Sequence, residues 1–335
     1  MRASLSDLLA TGRVLLADGA TGTNFFAAGL MSGDPPEFWT VERPDEVMNL
    51  HRQFIEAGSD IILTNTFGCN RQRLKLHKAQ DRTYELARAA AELACKVVDS
   101  VSRPVVVAGS VGPTGELFEP LGLLTHDDAV ASFTEEIRGL KDGGADVAWI
   151  ETMSSPEEVH AAATAAIAVG LPYVATCSFD TAGRTMMGLM PGNLADVLAV
   201  EPVAPLAMGA NCGVGAPDIL VSLLEMQGCV LPLVTKGNCG VPHFEGTEIV
   251  YSGTPELMAR YATTAIDGGA RIVGGCCGTT PTHVAAMRDA IDGHTRGERP
   301  TVETIVGLVG ALTNSAPSAT VERRSRRSQG STPND

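Results

Sequence analysis

The chain has 335 residues, of which 44% are hydrophobic and 19% charged, with a formal net charge of −14; this allows a sizeable core and excludes general disorder. So acidic a balance excludes nucleic acid as the natural partner, because a phosphate backbone is gripped by basic surface, and a small-molecule substrate is expected instead. The opening M-R-A-S-L-S-D-L-L-A has one basic residue and no long apolar run, so no secretory leader and no membrane span are expected, and a cytoplasmic setting would keep the eight cysteines reduced.

Along the chain, short β-rich runs alternate with segments of helical apolar spacing. The runs are 13–19 (R-V-L-L-A-D-G), 60–66 (D-I-I-L-T-N-T), 104–110 (P-V-V-V-A-G-S), 146–152 (D-V-A-W-I-E-T), 173–179 (Y-V-A-T-C-S-F), 206–212 (L-A-M-G-A-N-C), 232–238 (P-L-V-T-K-G-N) and 271–277 (R-I-V-G-G-C-C). Helices are predicted between them, clearest over 44–57 and 127–141, with apolar residues three and four apart. A-G-S-D at 57–60, D-G-G-A-D at 142–146 and D-G-G-A-R at 267–271 place glycine where a helix ends in a left-handed residue before the next strand. Eight such units predict a parallel sheet closed into a single (β/α)8 TIM barrel. The alternation also permits an open doubly wound sheet, but no G-x-G-x-x-G follows the first strand to support dinucleotide binding. The barrel is assigned to 1–311 and a flexible tail to 312–335. The tail is rich in Ser, Thr, Pro and Asn, and its Arg323, Arg324, Arg326 and Arg327 read as a solvated end.

Chemistry in such a barrel sits at the carboxyl ends of the strands. There the sequence places Asp18, Asn65, Glu151, Cys177, Asn211, Cys212, Lys236, Asn238, Cys276 and Cys277, a set too polar for a rim ordered by packing alone. In G-G-C-C-G-T-T, 274–280, glycines bracket adjacent thiols and free the backbone to turn both inward. G-A-N-C-G, 209–213, supplies a third thiol from strand six. Catalytic zinc takes three protein ligands and leaves a fourth position open, so Cys212, Cys276 and Cys277 are the expected zinc (Zn2+) ligands. Burial alone is the plainer reading of any single cysteine. Cys69, Cys177 and Cys239 also fall near the rim but lack glycine on both sides, and Cys95 and Cys229 read as packing residues.

Six motifs in order, A-D-G-A-T-G-T (17–23), A-G-S-D-I-I-L-T-N-T-F (57–67), A-G-S-V-G-P-T-G (108–115), I-E-T (150–152), G-A-N-C-G (209–213) and G-G-C-C-G-T-T-P (274–281), resemble the homocysteine S-methyltransferases over roughly residues 13–292. That family includes betaine-homocysteine methyltransferase and the homocysteine module of cobalamin-dependent methionine synthase. The resemblance implies the same three zinc ligands. It also implies that Asp18, Gly19 and Ala20 meet the amino-acid end of homocysteine and that Glu151 pairs with its ammonium group. Glycine-rich backbone can aim N–H groups at a carboxylate. Taken singly, Asp18 would be a turn former and Glu151 a rim ion pair.

An onium donor is expected, since its positive charge vanishes on transfer and aromatic faces bind such cations. Among 15 aromatic residues, Trp39 matches a donor-pocket tryptophan of the betaine enzymes and Phe67 offers a second face. Glycine betaine is therefore the first expectation, with dimethylglycine as by-product; S-methylmethionine, S-adenosylmethionine and dimethylsulfoniopropionate are the alternatives. Gly68 and Thr152 stand where animal betaine enzymes are expected to carry tyrosines. Methyltetrahydrofolate through cobalamin is the least expected donor, there being no room after the barrel for further domains. Related enzymes suggest a homo-oligomer. The competing class is a zinc- or thiol-binding protein without catalysis; a metal hydrolase is disfavoured because the seven histidines form no H-x-H cluster.

Overall fold

The computed structural model describes residues 2–240, 242–245 and 248–313. Its strands are β1 (Leu15–Leu16), β2 (Ile61–Leu63), β3 (Val106–Val111), β4 (Val147–Met153), β5 (Tyr173–Cys177), β6 (Ala207–Cys212), β7 (Leu233–Gly237), β8 (Pro242–Glu245), β9 (Glu248–Tyr251) and β10 (Ala270–Gly275). Eight of them form one parallel sheet in the order β1-β10-β7-β6-β5-β4-β3-β2. A parallel bridge between Ala17 and Ile61 joins its two edges. There Asp18 N–H donates to the Ile61 carbonyl at 3.0 Å and Asp60 N–H to the Leu16 carbonyl at 2.6 Å. The protein is an α/β (β/α)8 TIM barrel, and all eight expected runs are its strands.

Barrel strands are buried on both faces, which is why they read as continuous apolar runs. Alternate residues still separate. Leu15, Ile61, Leu63, Val106, Val147, Trp149, Val174, Val234 and Ile272 fill the interior, whereas Leu16, Ile62, Val107, Ile150 and Val273 pack outward against the helices. The expected helices run Pro44–Glu56 and His126–Asp142. The turn glycines Gly58, Gly144 and Gly269 have φ of +105°, +99° and +111°, the left-handed region in which a side chain is strained. Ser155, Thr254 and Thr301 cap the next helices by accepting an N–H three residues on.

Two elements were not expected from the sequence. A helix Leu5–Ala10, capped by Ser4, joins Leu5 and Leu8 to the interior cluster; six residues are too few for periodicity to declare it. After β7, β8 and β9 form an antiparallel hairpin, which returns the chain at Tyr251 to the metal-candidate loop. The helix Val302–Val309 lies against the helices Ala216–Glu225 and Pro255–Gly268. The expected tail lies, from residue 314 onward, outside the described residues. Among the described residues no helix is long and apolar enough to cross a membrane.

One core position opposes stability. Glu136 is fully buried in the helix His126–Asp142, and neither carboxylate oxygen has a hydrogen-bond partner among the described residues. Burial, reinforced by Glu37, pushes its pKa well above the ordinary value. The folded state therefore holds this proton more tightly than the unfolded chain, so stability falls as pH rises from the ordinary carboxylate value through the raised one. Glu136→Met, close in volume and without orphaned oxygens, is expected to gain about 1–3 kcal/mol at pH 8. Denaturant melts at pH 5 and pH 8 should show the gain to be larger at pH 8.

Candidate active site

The carboxyl ends of β6, β7 and β10 converge on three sulfurs. The Sγ atoms of Cys212, Cys276 and Cys277 all lie within 4.8 Å of one another, the one such group of possible metal ligands among the described residues. A tetrahedral ion about 2.3 Å from each sulfur would set them about 3.8 Å apart, a spacing compatible with that limit. Mutual contact and burial raise the pKa of all three thiols. At Cys277 the bond from Cys212 lowers the pKa, but the bond and charge of Cys276 and burial outweigh it and push it up to about 12. The Cys276 thiol is pushed well above its ordinary value, first by its bond with Cys212 and then by burial. Without a positive charge among them, these thiols hold their protons.

Backbone conformation aims them. Cys212 ends β6 at φ +62°, a strained state for a residue with a β-carbon and one that concentrates at functional sites. On the other loop, a β-carbon on Gly275 would lie 2.2 Å from the Thr279 side chain, and one on Gly278 would lie 2.3 Å from the Tyr251 ring. The bracketing glycines are thus required by close approach. Asn238, just past β7, joins the loops: its Nδ2 donates to the Gly213 carbonyl at 2.6 Å and reaches Cys212 Sγ at 3.7 Å, while its Oδ1 accepts Cys277 N–H at 3.0 Å. The Tyr251 ring lies against Gly278, next to Cys277 in the chain. The other rim thiols stand apart: Cys69 donates to the Thr83 carbonyl at 3.5 Å, and Cys177 and Cys239 are buried outside the trio.

Beside the sulfurs lies a charged cluster inside the barrel. Lys236, 1% exposed, donates from Nζ to Asp18 Oδ1 at 2.8 Å, and its ammonium sits 5.9 Å from the centroid of the Trp149 ring. Asp18 Oδ2 accepts Leu63 N–H at 2.7 Å. Burial acts to lower the Lys236 pKa, but the charges of Asp18 and Glu151 prevail and hold it above the ordinary lysine value. Glu151, 7% exposed, accepts the Ser110 hydroxyl at 2.5 Å. Burial raises its pKa, against the charge of Lys236 and the Ser110 bond. It sits where the β4–β5 register shifts between Ile150 and Met153, and such an irregularity re-aims side chains. Thr152, next in line at φ +62°, is fixed by Asn211, which accepts its N–H at 2.7 Å and donates to its hydroxyl at 2.7 Å.

Of the other expected contacts, Ala20 N–H is committed to the Thr279 carbonyl at 3.1 Å, tying the first loop to the cysteine loop. Among the described residues Gly19 N–H makes no hydrogen bond. A β-carbon on Gly19 would lie 2.5 Å from that same carbonyl. Phe67 is 41% exposed and rests on Gly112, whose missing β-carbon leaves room for its ring. Trp39, 5% exposed, packs 5.0 Å from Phe25 with the Arg43 guanidinium 4.8 Å above it. At Gly68, which stands where animal betaine enzymes are expected to carry a tyrosine, Glu37 Oε1 accepts the backbone N–H at 2.7 Å, and a β-carbon would lie 2.9 Å from that oxygen. Asn211, Asn238 and Lys236 were visible in the sequence as polar rim residues without a role; Tyr251 was not, because it arrives on the unexpected hairpin.

The closed (β/α)8 barrel thus carries at its mouth a buried carboxylate and three clustered thiols able to hold a metal ion. The family model described as homocysteine S-methyltransferase matches residues 15–291, and the chain belongs to that family. Methionine synthase of Mycobacterium tuberculosis (strain ATCC 25618 / H37Rv) is 32% identical over 86% of this chain and 25% of its own length. Methionine synthase of Mycobacterium leprae (strain TN) is 32% identical over 88% and 26%. The chain thus spans about a quarter of the length of these relatives. Among solved structures, the homocysteine methyltransferase MmuM from Escherichia coli in its metallated form superposes with a TM-score of 0.72 at 25% identity, covering 84% of this chain and 98% of that one.

Proposed function

We propose that the chain transfers a methyl group from an onium donor, glycine betaine first, to the sulfur of homocysteine, with zinc held by Cys212, Cys276 and Cys277. The observation that carries this reading is the meeting of three sulfurs from two loops within 4.8 Å of one another beside a carboxylate at the barrel mouth. Zinc bound there would supply a Lewis acid that keeps a thiol, with a free pKa of about 8.5, deprotonated at neutral pH.

The chain's own residues bind and orient. Glu151 receives the substrate's ammonium, and the Gly19 N–H is the uncommitted backbone donor for its carboxylate, with Asp18 and Ala20 holding that loop in place. Phe67 presents an accessible ring to the donor cation, with Trp39, packed on Phe25 and under Arg43, as the second aromatic of the donor reading. The S–CH3 bond forms as the methyl–nitrogen bond of betaine breaks, its electron pair passing to nitrogen and discharging it, so that methionine and dimethylglycine result. Holding sulfur and methyl in line supplies much of the rate, and no base at carbon is needed.

With zinc-replete protein and homocysteine fixed, betaine should yield methionine and dimethylglycine in equal amounts. S-methylmethionine, S-adenosylmethionine and dimethylsulfoniopropionate form the parallel arms. Methionine from one of these alone would reassign the donor; methionine from none would reject methyl transfer. Zinc held by four protein ligands and unchanged by homocysteine would indicate a metal-storage protein.

A further inference from the structure

We propose that Lys236 is a positioning residue that occupies Asp18, so that Glu151 alone among the carboxylates of the barrel mouth is left to take the substrate's ammonium. The inference rests on the homocysteine reading and extends it to the charge balance of the amino-acid pocket.

Both oxygens of Asp18 are committed, Oδ1 to Lys236 Nζ at 2.8 Å and Oδ2 to Leu63 N–H at 2.7 Å. Glu151 has one oxygen on Ser110, and among the described residues its second, Oε2, has no hydrogen bond. A cation entering the pocket therefore finds an open acceptor on Glu151 and none on Asp18. Lys236 is confined. Its Cγ lies 3.1 Å from where a β-carbon on Gly274 would sit, so glycine is what gives its stem room, and the Trp149 ring lies below its ammonium. With both carboxylates ionised, Asp18, Lys236 and Glu151 would together carry one net negative charge, which a substrate ammonium would neutralise. Were Asp18 also open, two buried carboxylates would face one ammonium, and an unpaired buried charge is strongly unfavourable. Were Asp18 neutral, Lys236 would be left to turn on Glu151 and compete with the substrate.

The test is a binding ratio that needs no methyl donor. Zinc-loaded protein is titrated calorimetrically with L-homocysteine and with 4-sulfanylbutanoate, which keeps the thiol and the carboxylate and lacks the ammonium. The wild-type chain should prefer homocysteine, and Glu151→Gln should erase the preference. Asp18→Asn should weaken homocysteine about tenfold or more, the scale for disturbing a buried charge pair, and 4-sulfanylbutanoate far less. The charge-balanced Asp18→Asn/Lys236→Met chain should recover the wild-type ratio; should Asp18→Asn not fold, this double variant decides alone. A double variant without the preference would show that Asp18 itself touches the ammonium and would overturn the inference. So would Lys236→Met if it weakened both ligands equally, since Lys236 would then be holding the carboxylate they share. A wild-type chain that binds homocysteine while these ratios run otherwise sinks this inference alone; one that binds no homocysteine sinks the homocysteine reading with it.

Discussion

Cys276→Ala or Cys277→Ala is expected to remove zinc and turnover together while leaving the barrel folded. A four-ligand zinc site gains about 10–16 kcal/mol, so one ligand's share is about 3 kcal/mol, or about two orders of magnitude in affinity. Turnover should fall further, to background, because two remaining thiolates present the incoming sulfur in a different charge environment and geometry. Cys212→Gly separates the roles. At φ +62° glycine relieves the strain borne by cysteine, so the zinc-free variant should melt no lower than zinc-free wild type and yet bind zinc about 100-fold more weakly. Zinc content after dialysis and zinc-free melting curves check both halves. A variant lacking any of the three sulfurs that kept stoichiometric zinc and full turnover would remove the metal assignment.

The barrel was legible because its strands and turns each obey a local rule. Periodicity alone does not separate a short apolar run such as Val105, Val106 and Val107 from buried helix, but the glycines at 58, 144 and 269 punctuate such runs, and their φ values show why no other residue serves. The thiol trio was legible for a related reason: glycine beside cysteine marks a backbone that must come close to something, here Thr279 and Tyr251. What stayed hidden depends on pairings far apart in the chain. Lys236 and Asp18 are 218 positions apart, and nothing local marks either as the other's partner. Trp39 shows the converse limit, for its type suggested a donor face while Phe25 and Arg43 cover much of its ring. Of these two rings Phe67, on Gly112, is the accessible one, and only the fold reveals which glycine makes its place.

Asn238→Ala is expected to have the second largest effect, and it acts without removing a ligand. Its amide spans the loops, with Nδ2 on the Gly213 carbonyl at 2.6 Å and Oδ1 on Cys277 N–H at 3.0 Å. Alanine leaves both partners unbonded in a part-buried place and frees the loop bearing Cys212 from the loop bearing Cys276 and Cys277. Losing such an outer partner of a metal site lowers metal affinity or activity about 10–100-fold. The loss should be of organisation, so excess zinc should restore metal content, and the KM for homocysteine should rise as its sulfur meets a looser set of thiols. Asn238→Asp tells the two bonds apart. The carboxylate can still accept Cys277 N–H but cannot donate to Gly213, and it brings a negative charge against the thiolates, so its zinc affinity should fall at least as far as that of the alanine variant. Zinc competition against a chelator of known affinity gives both values; an alanine variant within twofold of wild type would mean that the loops hold their geometry without this amide.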